Sequence, residues 1–369
     1  MSILIFFIVL FVLILVHELG HFLAAKKFGI KVDEFGIGFP PKLFGYRPKG
    51  SETEYTFNWL PIGGFVKIFG EDPNQENTEG PERERSFVHK PKWQQAVVLV
   101  AGVTFNVLMA WVLLVSLFLV GMPTAVSPDE LDTVRDPKLL VMNVLPDSPA
   151  ERAGMGASNE IVAVIGSDGI EPDTLTPEAI ANFVSPRADE PITFMLRDSG
   201  EMRNVIVTPS AGLIEDEPER AAIGINMSLA GIMRLPVHEA VWKGTTMTAD
   251  LLSAVAVGLY GFFTDAFTGQ ADFTQVAGPV GIVGMVGEAS SLGLAYLLTF
   301  TAFISLNLAV INMLPFPALD GGRLVFVAIE AITGRMIKPA IANGLNFIGF
   351  ALLIILMIAV TYNDILRLL

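Results

Sequence analysis

The sequence predicts a polytopic α-helical membrane protein with about four transmembrane helices, a membrane-associated β-region and an extracytoplasmic α+β domain. Of its 369 residues, 52% are hydrophobic and only 17% are charged, and the mean hydropathy of +0.55 exceeds that of ordinary soluble domains. Four apolar stretches are long enough to cross a hydrocarbon layer of about 30 Å. They are residues 3–25, 96–122, 296–314 and 347–362.

Basic residues predict how these spans are oriented. Residues 26–92 hold eleven Lys and Arg, and the loop after the third span holds Arg323, Arg335 and Lys338. The positive-inside tendency therefore places both regions on the cytoplasmic side. Residues 122–292 hold nine Lys and Arg against 24 Asp and Glu, so we expect them outside.

Charge and cysteine content exclude several function classes. The net charge of −14 argues against nucleic acid as a partner. The chain has no cysteine, which excludes disulfides, thiolate catalysis and cysteine-ligated zinc.

The first span carries a pattern typical of a metal site, His17-Glu18-Leu19-Gly20-His21. Two imidazoles four residues apart share one helix face and can bind one metal, with the glutamate beside them to activate a water. Two imidazoles and a carboxylate suit Zn²⁺ with one position left open. His17 lies about 21 Å along the helix from Ile3, within the bilayer but nearer the cytoplasmic face. The alternative is a helix whose polar residues simply pack between neighbouring helices.

We interpret this stretch as a retained span because ionisable residues at membrane depth persist mainly for function. A cleaved signal peptide would carry a basic region first, and no Lys or Arg precedes Lys26.

A third zinc ligand is expected near the end of the third span. There Asn312-Met313-Leu314 is followed by two prolines that break the helix, and then by Ala318-Leu319-Asp320-Gly321-Gly322. Asp320 is the outstanding candidate, since unwound backbone is tolerated at membrane depth where it lines a cavity. Asp320 could instead cap the helix that follows, and the two roles are compatible.

Two regions outside the spans have strand patterns. Residues 32–70 predict a hairpin or small sheet lying against the membrane, because 53–57 alternates and 65–68 resumes after a Pro and two glycines. Residues 139–209 predict a compact module of strands with one helix, capped by Thr176 with Pro177 in its first position. Its predicted strands are 140–144, 160–165, 192–197 and 205–208.

The segment before the third span is predicted to be an amphipathic helix followed by a glycine-rich connection. Residues 236–267 are moderately amphipathic and are expected to lie along the outer membrane surface. The glycine-rich stretch 278–284 is expected to be a flexible or re-entrant connection, since it lacks the spacing of a phosphate-binding loop. His89 and His238 are expected to be solvated.

Two resemblances sharpen these expectations. The turn Ser148-Pro149-Ala150-Glu151-Arg152-Ala153-Gly154 resembles the S-P-A-x-x-A-G turn of bacterial PDZ domains, which bind extended peptides by strand addition. The alternative is an α+β insert without peptide affinity. The PDZ-like turn, HELGH in the first span and N-x-x-P-x-P-x-L-D-G-G after the third together resemble the site-2 protease family of intramembrane zinc metalloproteases, RseP-type branch. This resemblance covers nearly the whole chain.

The resemblance implies roles for particular residues. His17, His21 and Asp320 would bind zinc, Glu18 would be the catalytic base, and Asn312 would hold the substrate or the developing oxyanion. The β-region would pair with an unwound substrate. One departure is Val103, which stands where the family has Pro in A-G-P-x-x-N and leaves the role of Asn106 open. A second is that only one PDZ domain fits, whereas the best-known members have two.

The implied function is proteolysis inside the bacterial cytoplasmic (inner) membrane, with the lipid bilayer around the enzyme and the PDZ domain on the periplasmic side. The expected substrates are single-span membrane proteins already trimmed outside, such as an anti-sigma factor or signal-peptide remnants. One rival is a transporter with an ion relay of His, Glu and Asp, which does not explain metal-ligand spacing. Another is a non-catalytic membrane scaffold.

The predicted organisation has six segments. They are 1–31, the first transmembrane helix with HELGH; 32–92, the cytoplasmic-side β-region and linker; 93–122, the second transmembrane helix; 123–230, the PDZ-like domain; 231–291, the amphipathic helix and glycine-rich connection; and 292–369, the third and fourth transmembrane helices.

Overall fold

The computed structural model of the chain describes residues 1–71, 79–128, 131, 134–157, 159–198, 201–213, 217, 219–269 and 277–368. These residues form two compact units, one of Met1–Leu117 with His238–Leu369 and the other of Phe118–Val237. Most of the polar linker predicted after the β-region, residues 72–78, lies outside the described residues.

The elements follow one another in an order that places strands between helices. In chain order they are α1 (Ser2–Lys27), β1 (Val32–Tyr46), β2 (Glu54–Ile68), α2 (Lys92–Val120), β3 (Met122–Val126), β4 (Arg135–Val144), α3 (Pro149–Arg152), β5 (Glu160–Gly166), α4 (Pro177–Val184), β6 (Ile192–Asp198), β7 (Glu201–Val207), β8 (Ile225–Met233), α5 (Val237–Thr268), α6 (Pro279–Leu292), α7 (Leu294–Asn312), α8 (Asp320–Thr333) and α9 (Pro339–Leu368).

Among the described residues, five helices are long and apolar enough to cross a membrane: α1, α2, α5, α7 and α9. The four predicted spans correspond to α1, α2, α7 and α9. The fifth helix, α5, covers the stretch expected to lie along the membrane surface. The predicted count of four spans is therefore not confirmed.

Helix α5 packs alongside α2. The Trp111 indole donates a hydrogen bond to the Thr245 hydroxyl (2.9 Å). A Cβ added to Gly244 would lie 2.5 Å from the Val115 side chain, so the glycine allows the two helices to approach closely. The sequence interpretation missed this contact because glycine and threonine lower hydropathy at the positions where helices meet.

The predicted β-region is confirmed as an antiparallel pair, β1 with β2. Both strands bend, so the pair forms four short segments whose spatial order is 42–46, 54–58, 32–37 and 64–68. Segment 64–68 pairs on one side only among the described residues. It therefore presents a free strand edge.

The glycine-rich stretch begins helix α6, so the prediction of a flexible connection there is wrong, whereas a re-entrant connection stays a prediction. The buried carboxylate of Asp364, on α9, accepts hydrogen bonds from the amides of Gly278 (3.1 Å) and Gly281 (2.8 Å). A distant carboxylate thus satisfies the free N–H groups of the first turn, which no local side chain caps. This long-range cap could not be read from local sequence.

The second unit is a six-stranded antiparallel sheet in the order β3-β8-β4-β5-β6-β7. Helix α4 begins at Pro177 as predicted, with the Thr176 hydroxyl accepting from the Ala179 amide (3.2 Å). The four predicted strands are present as β4 to β7. Strands β3 and β8, at the two ends of the unit in sequence, were not predicted.

Candidate metal centre

Helix α1 presents its polar motif toward neighbouring elements instead of lipid. His17, Gly20 and His21 are buried, in line with Leu13 one turn earlier. A Cβ on Gly20 would lie 2.8 Å from the carbonyl carbon of Ala101, on α2, so only glycine permits this approach. A Cβ on Gly102 would lie 2.8 Å from the His17 ring. The two glycines let the histidines lie directly against the α2 backbone.

Three donor atoms meet at this point. The Nε2 atoms of His17 and His21 are 3.1 Å apart, and Asp320 Oδ2 lies 3.0 Å from the first and 3.3 Å from the second. The two histidines are four residues apart on one helix, whereas the aspartate lies 303 residues beyond His17 in the sequence. The structure therefore brings together the three predicted ligands.

The chemistry of these donors fits a zinc ion. His21 Nδ1 lies 2.8 Å from the Val98 carbonyl, so it donates its proton there and leaves the lone pair on Nε2. That lone pair faces the Asp320 carboxylate and the other imidazole, an arrangement that favours a shared cation. Tetrahedral zinc with bonds near 2.0–2.1 Å places its ligand atoms about 3.3 Å apart, close to the distances found here. The fourth position is available for water.

Asn106, on α2, lies beside the other histidine. Its Nδ2 atom is 3.3 Å from His17 Nδ1, and its backbone carbonyl accepts from the Ser305 hydroxyl on α7 (2.8 Å). The side chain is fully buried, and its Oδ1 atom has no hydrogen-bond partner. An orphaned buried oxygen next to the imidazole of a predicted metal ligand points to a role in the site.

The alternative reading of Asp320 as a helix N-cap is wrong. Leu319 occupies the N-cap position, no side-chain capping bond is formed, and Asp320 is the first residue of α8. Its carboxylate is directed at the histidines. Close packing fixes this helix start, because Cβ atoms on Gly321 and Gly322 would lie 2.5 Å and 2.7 Å from the backbone carbons of Met313 and Phe316.

Glu18 lies beside the three ligands and against the β-region. A Cβ on Gly64, at the free strand edge, would lie 3.8 Å from Glu18 Cγ. The carboxyl group is within electrostatic range of His21 and Asp320 and interacts with the backbone of Val66. The predicted base thus lies between the three predicted ligands and the free edge of segment 64–68.

Two ion pairs join α8, the helix that begins at Asp320, to other elements around the site. The Arg323 guanidinium, one turn after Asp320 on α8, contacts the carboxylate of Glu71 just beyond β2. Lys92 at the start of α2 pairs with Glu330 further along α8 (2.5 Å). These contacts tie the β-region and α2 to the helix that carries Asp320.

Asn312 is the last residue of α7 and is half-buried. The hydrogen bonds within the described ranges include none that joins it to the three ligands. Sequence reasoning missed Val98, Gly102 and Asn106 as one functional face. These residues are spaced four apart, which places all three on one face of α2. That spacing is the sequence pattern from which they could have been predicted.

Two histidines on a helix apolar enough to span a membrane, with the Asp320 carboxylate against them and a glutamate beside them, define a metallopeptidase class of site. The model of peptidase family M50 matches residues 5–356, so the chain belongs to this family, that of the site-2 proteases. It is a zinc metalloprotease and a multi-pass membrane protein, as the resemblance predicted.

Relatives span nearly the whole chain. The regulator of sigma-W protease RasP of Bacillus subtilis is 31% identical and covers 98% of each chain. The zinc metalloprotease RasP of Geobacillus kaustophilus is 30% identical, over 99% of this chain and 97% of its own. A Rhizobium meliloti protein with a zinc-metalloprotease name is 32% identical, over 98% and 95%.

Proposed function

We propose that this protein cleaves the transmembrane segments of single-span membrane proteins, with zinc held by His17, His21 and Asp320. The observation that carries this proposal is the convergence of the three donor atoms within 3.0–3.3 Å. Both histidines belong to a helix apolar enough to span the membrane. An ion relay would need no such ligand geometry.

The mechanism assigns one task to each group. A zinc ion held by His17, His21 and Asp320 would supply Lewis acidity for lowering the pKa of water and polarising a carbonyl. Glu18 accepts the proton of the attacking water and passes it to the leaving amine. His17 and His21 keep Nε2 directed at the metal position. Asn312 is assigned, from the family resemblance, to holding the substrate or donating to the oxyanion.

Substrate presentation would use the free edge of segment 64–68. A transmembrane helix hides its carbonyls in internal hydrogen bonds, so it must unwind before cleavage. An unwound strand that pairs with residues 64–68 regains hydrogen bonds. The same pairing brings its backbone next to Glu18, which lies against Gly64. The hairpin's exposed apolar side chains, such as Phe44 and Trp59, suit a position against the bilayer.

The orientation follows from the ends of the helices. Lys26 and Lys27 occupy the last turn of α1, and Lys92 begins α2, so this end would face the cytoplasm. The second unit follows the opposite end of α2 and would lie on the extracytoplasmic side of the inner membrane. The site would then be nearer the cytoplasmic face.

A peptide-binding role for the second unit is supported by its groove. A cavity of about 180 Å³ lies between α4 and the start of β8, lined by Ile180, Val184, Ile225 and Met227 among others. Among the described residues, β3 pairs with residues 229–233 of β8, and residues 225–228 have no partner strand on that edge. This supports a PDZ-like module. If Ile180→Asp leaves the binding of extended apolar peptides unchanged, the module has another role.

The physiological role would be regulated proteolysis. The Bacillus subtilis relative is named a regulator of sigma-W protease, which favours an anti-sigma factor as substrate, and signal-peptide remnants are the second candidate. Either would reach the site as a single membrane-spanning segment already trimmed outside.

Glu18→Gln tests the proposal directly. We expect it to fold and keep zinc but to lose cleavage by about 10²–10⁴-fold, the usual contribution of a general base. Co-expression with candidate single-span proteins, comparing wild type and variant, should trap uncut partners with the variant alone. Purified protein without tightly bound zinc, or normal turnover by the variant, would contradict the proposal.

A further inference from the structure

The loop that carries Asp320 contains an unfavourable backbone conformation. Residues 313–319 connect α7 with α8, and Ala318 has φ of +76°. This left-handed conformation is unfavourable for any residue with a Cβ and persists only where surrounding contacts impose it. Asp320 follows two residues later, so the rotation at Ala318 determines where its carboxylate lies.

Helix α9 supplies those contacts. The Ala318 amide donates a hydrogen bond to Asn346 Oδ1 (3.2 Å). Three residues further on, and so on the same helix face, a Cβ on Gly349 would lie 2.8 Å from the carbonyl carbon of Pro317. The helix thus holds one end of the loop by a hydrogen bond and lets the loop backbone rest against it at a glycine.

The loop is also closed on its other side. Gly321 and Gly322 lie directly against the carbonyl groups of residues 313–316. The loop is therefore packed between the start of α8 and the face of α9. The Asp320 carboxylate must meet two imidazoles at 3.0 Å and 3.3 Å, so a small displacement of this loop would move it out of reach.

We propose that Asn346 and Gly349 are positioning residues for the third zinc ligand. Helix α9 imposes the left-handed turn at Ala318 and so fixes Asp320 before the metal binds. This inference rests on the proposed role of Asp320 as a ligand. Neither positioning residue touches the metal or the substrate; each acts through the loop backbone.

The chain offers matched controls on the same helix. Asn343 is exposed, whereas Asn346 is half-buried against the loop. Gly344 has no atom within 4 Å of an added Cβ, whereas Gly349 contacts Pro317. The experiment compares Asn346→Ala with Asn343→Ala and Gly349→Ala with Gly344→Ala in the full-length protein. Asn346→Asp keeps the acceptor oxygen and serves as the rescue variant, and Asp320→Asn is the reference.

The readout is the zinc dissociation constant, measured by competition with a chelator, together with the unfolding temperature in excess chelator. We expect Asn346→Ala and Gly349→Ala to weaken zinc binding by about tenfold or more, within the range for residues that orient metal ligands. The two controls and Asn346→Asp should bind zinc as the wild type does. The unfolding temperature without metal should change little.

Each remaining outcome is decisive. Wild-type zinc affinity in Asn346→Ala and Gly349→Ala would overturn the inference while leaving the proposed function intact. Weakened affinity that Asn346→Asp fails to restore, with a lower unfolding temperature in chelator, would mean general destabilisation and would also overturn it. If Asp320→Asn binds zinc as tightly as the wild type, the ligand assignment fails and the inference fails with it.

Discussion

The two halves of the metal site are built in different ways. The histidine half is a single uninterrupted helix, α1, whose neighbours on α2 contact each imidazole directly. The aspartate half is a loop between two helices, with a left-handed residue and three glycines in contact with carbonyl groups. One half owes its geometry to helical periodicity and the other to packing from distant segments.

Because they are built differently, the two halves should respond differently to substitutions. Two imidazoles four residues apart on a helix are neighbours whatever the rest of the chain does. The aspartate meets them only when α8, α9 and the β-region are all in place. We therefore expect substitutions around the histidines to act on metal chemistry, and those around the aspartate to act on the docking of elements.

The largest expected effect comes from removing the metal, which joins both halves. At free zinc 1,000 times its dissociation constant, binding stabilises a folded protein by about 4 kcal/mol. Excess chelator should therefore lower the unfolding temperature of the wild type substantially and abolish cleavage. His17→Ala should be inactive, with an unfolding temperature that no longer responds to zinc. A His17→Ala variant still stabilised by zinc would indicate a different ligand set.

The next effect tests the contact between α1 and α2. Gly102→Ala places a methyl group against both imidazoles, so we expect a loss of zinc affinity and about 1–3 kcal/mol of stability from overpacking. Thr104→Ala is the control, because Thr104 is exposed on the same helix and bonds only to its own turn. Chelator competition and thermal unfolding measure both quantities. Equal zinc affinity and equal unfolding temperature in the two variants would show that the histidines do not need close contact with α2.

A smaller effect is expected at Asn106. Zinc on Nε2 of His17 requires a proton on Nδ1, and that proton needs an acceptor. Turning the Asn106 amide by half a turn brings the orphaned Oδ1 to the position 3.3 Å from Nδ1. Asn106→Ala should therefore weaken zinc binding by about 10–100-fold, whereas Asn106→Asp, which keeps an acceptor, should not. Equal zinc affinity in wild type and Asn106→Ala would exclude this role.

Sequence reasoning predicted the histidine half better than the aspartate half. The HELGH spacing alone predicted two ligands on one helix face, with Glu18 beside them as the base. Asp320 was predicted as a lone carboxylate after a proline break, but its supports on α9 lie 26 to 29 residues further along the chain. No local pattern relates Asn346 or Gly349 to the loop they contact.

The same limit applies to the fold. The α4 cap at Thr176 was predicted because a hydroxyl three residues before the amide that donates to it is a local feature. The start of α6 was missed because its cap, Asp364, lies more than 80 residues away. Likewise α5 was assigned to the surface, since its packing glycine and threonine dilute the apolar pattern. Contacts between distant segments are what the sequence does not show.

The smallest expected effect concerns the link between α1 and the β-region. Glu52, in the turn of the hairpin, accepts a hydrogen bond from Arg85 (2.5 Å) and one from Lys26 at the end of α1 (2.7 Å). The Arg85 guanidinium, and then Lys26, hold the pKa of the Glu52 carboxyl below its ordinary value. All three side chains are partly exposed, so these ion pairs contribute at most about 1 kcal/mol to the stability of the protein.

The pH dependence of this contribution has a definite sign. A carboxyl whose pKa is lower in the folded state stabilises fully above its unfolded pKa and loses that contribution as pH falls through the folded value. The difference in unfolding temperature between wild type and Glu52→Gln should therefore be present at pH 7 and disappear in acid. Glu84→Gln removes an exposed carboxylate next to Arg85 in the sequence and should show no such difference. A constant difference across this pH range would mean that Glu52 acts through packing, and that α1 is joined to the β-region without help from charge.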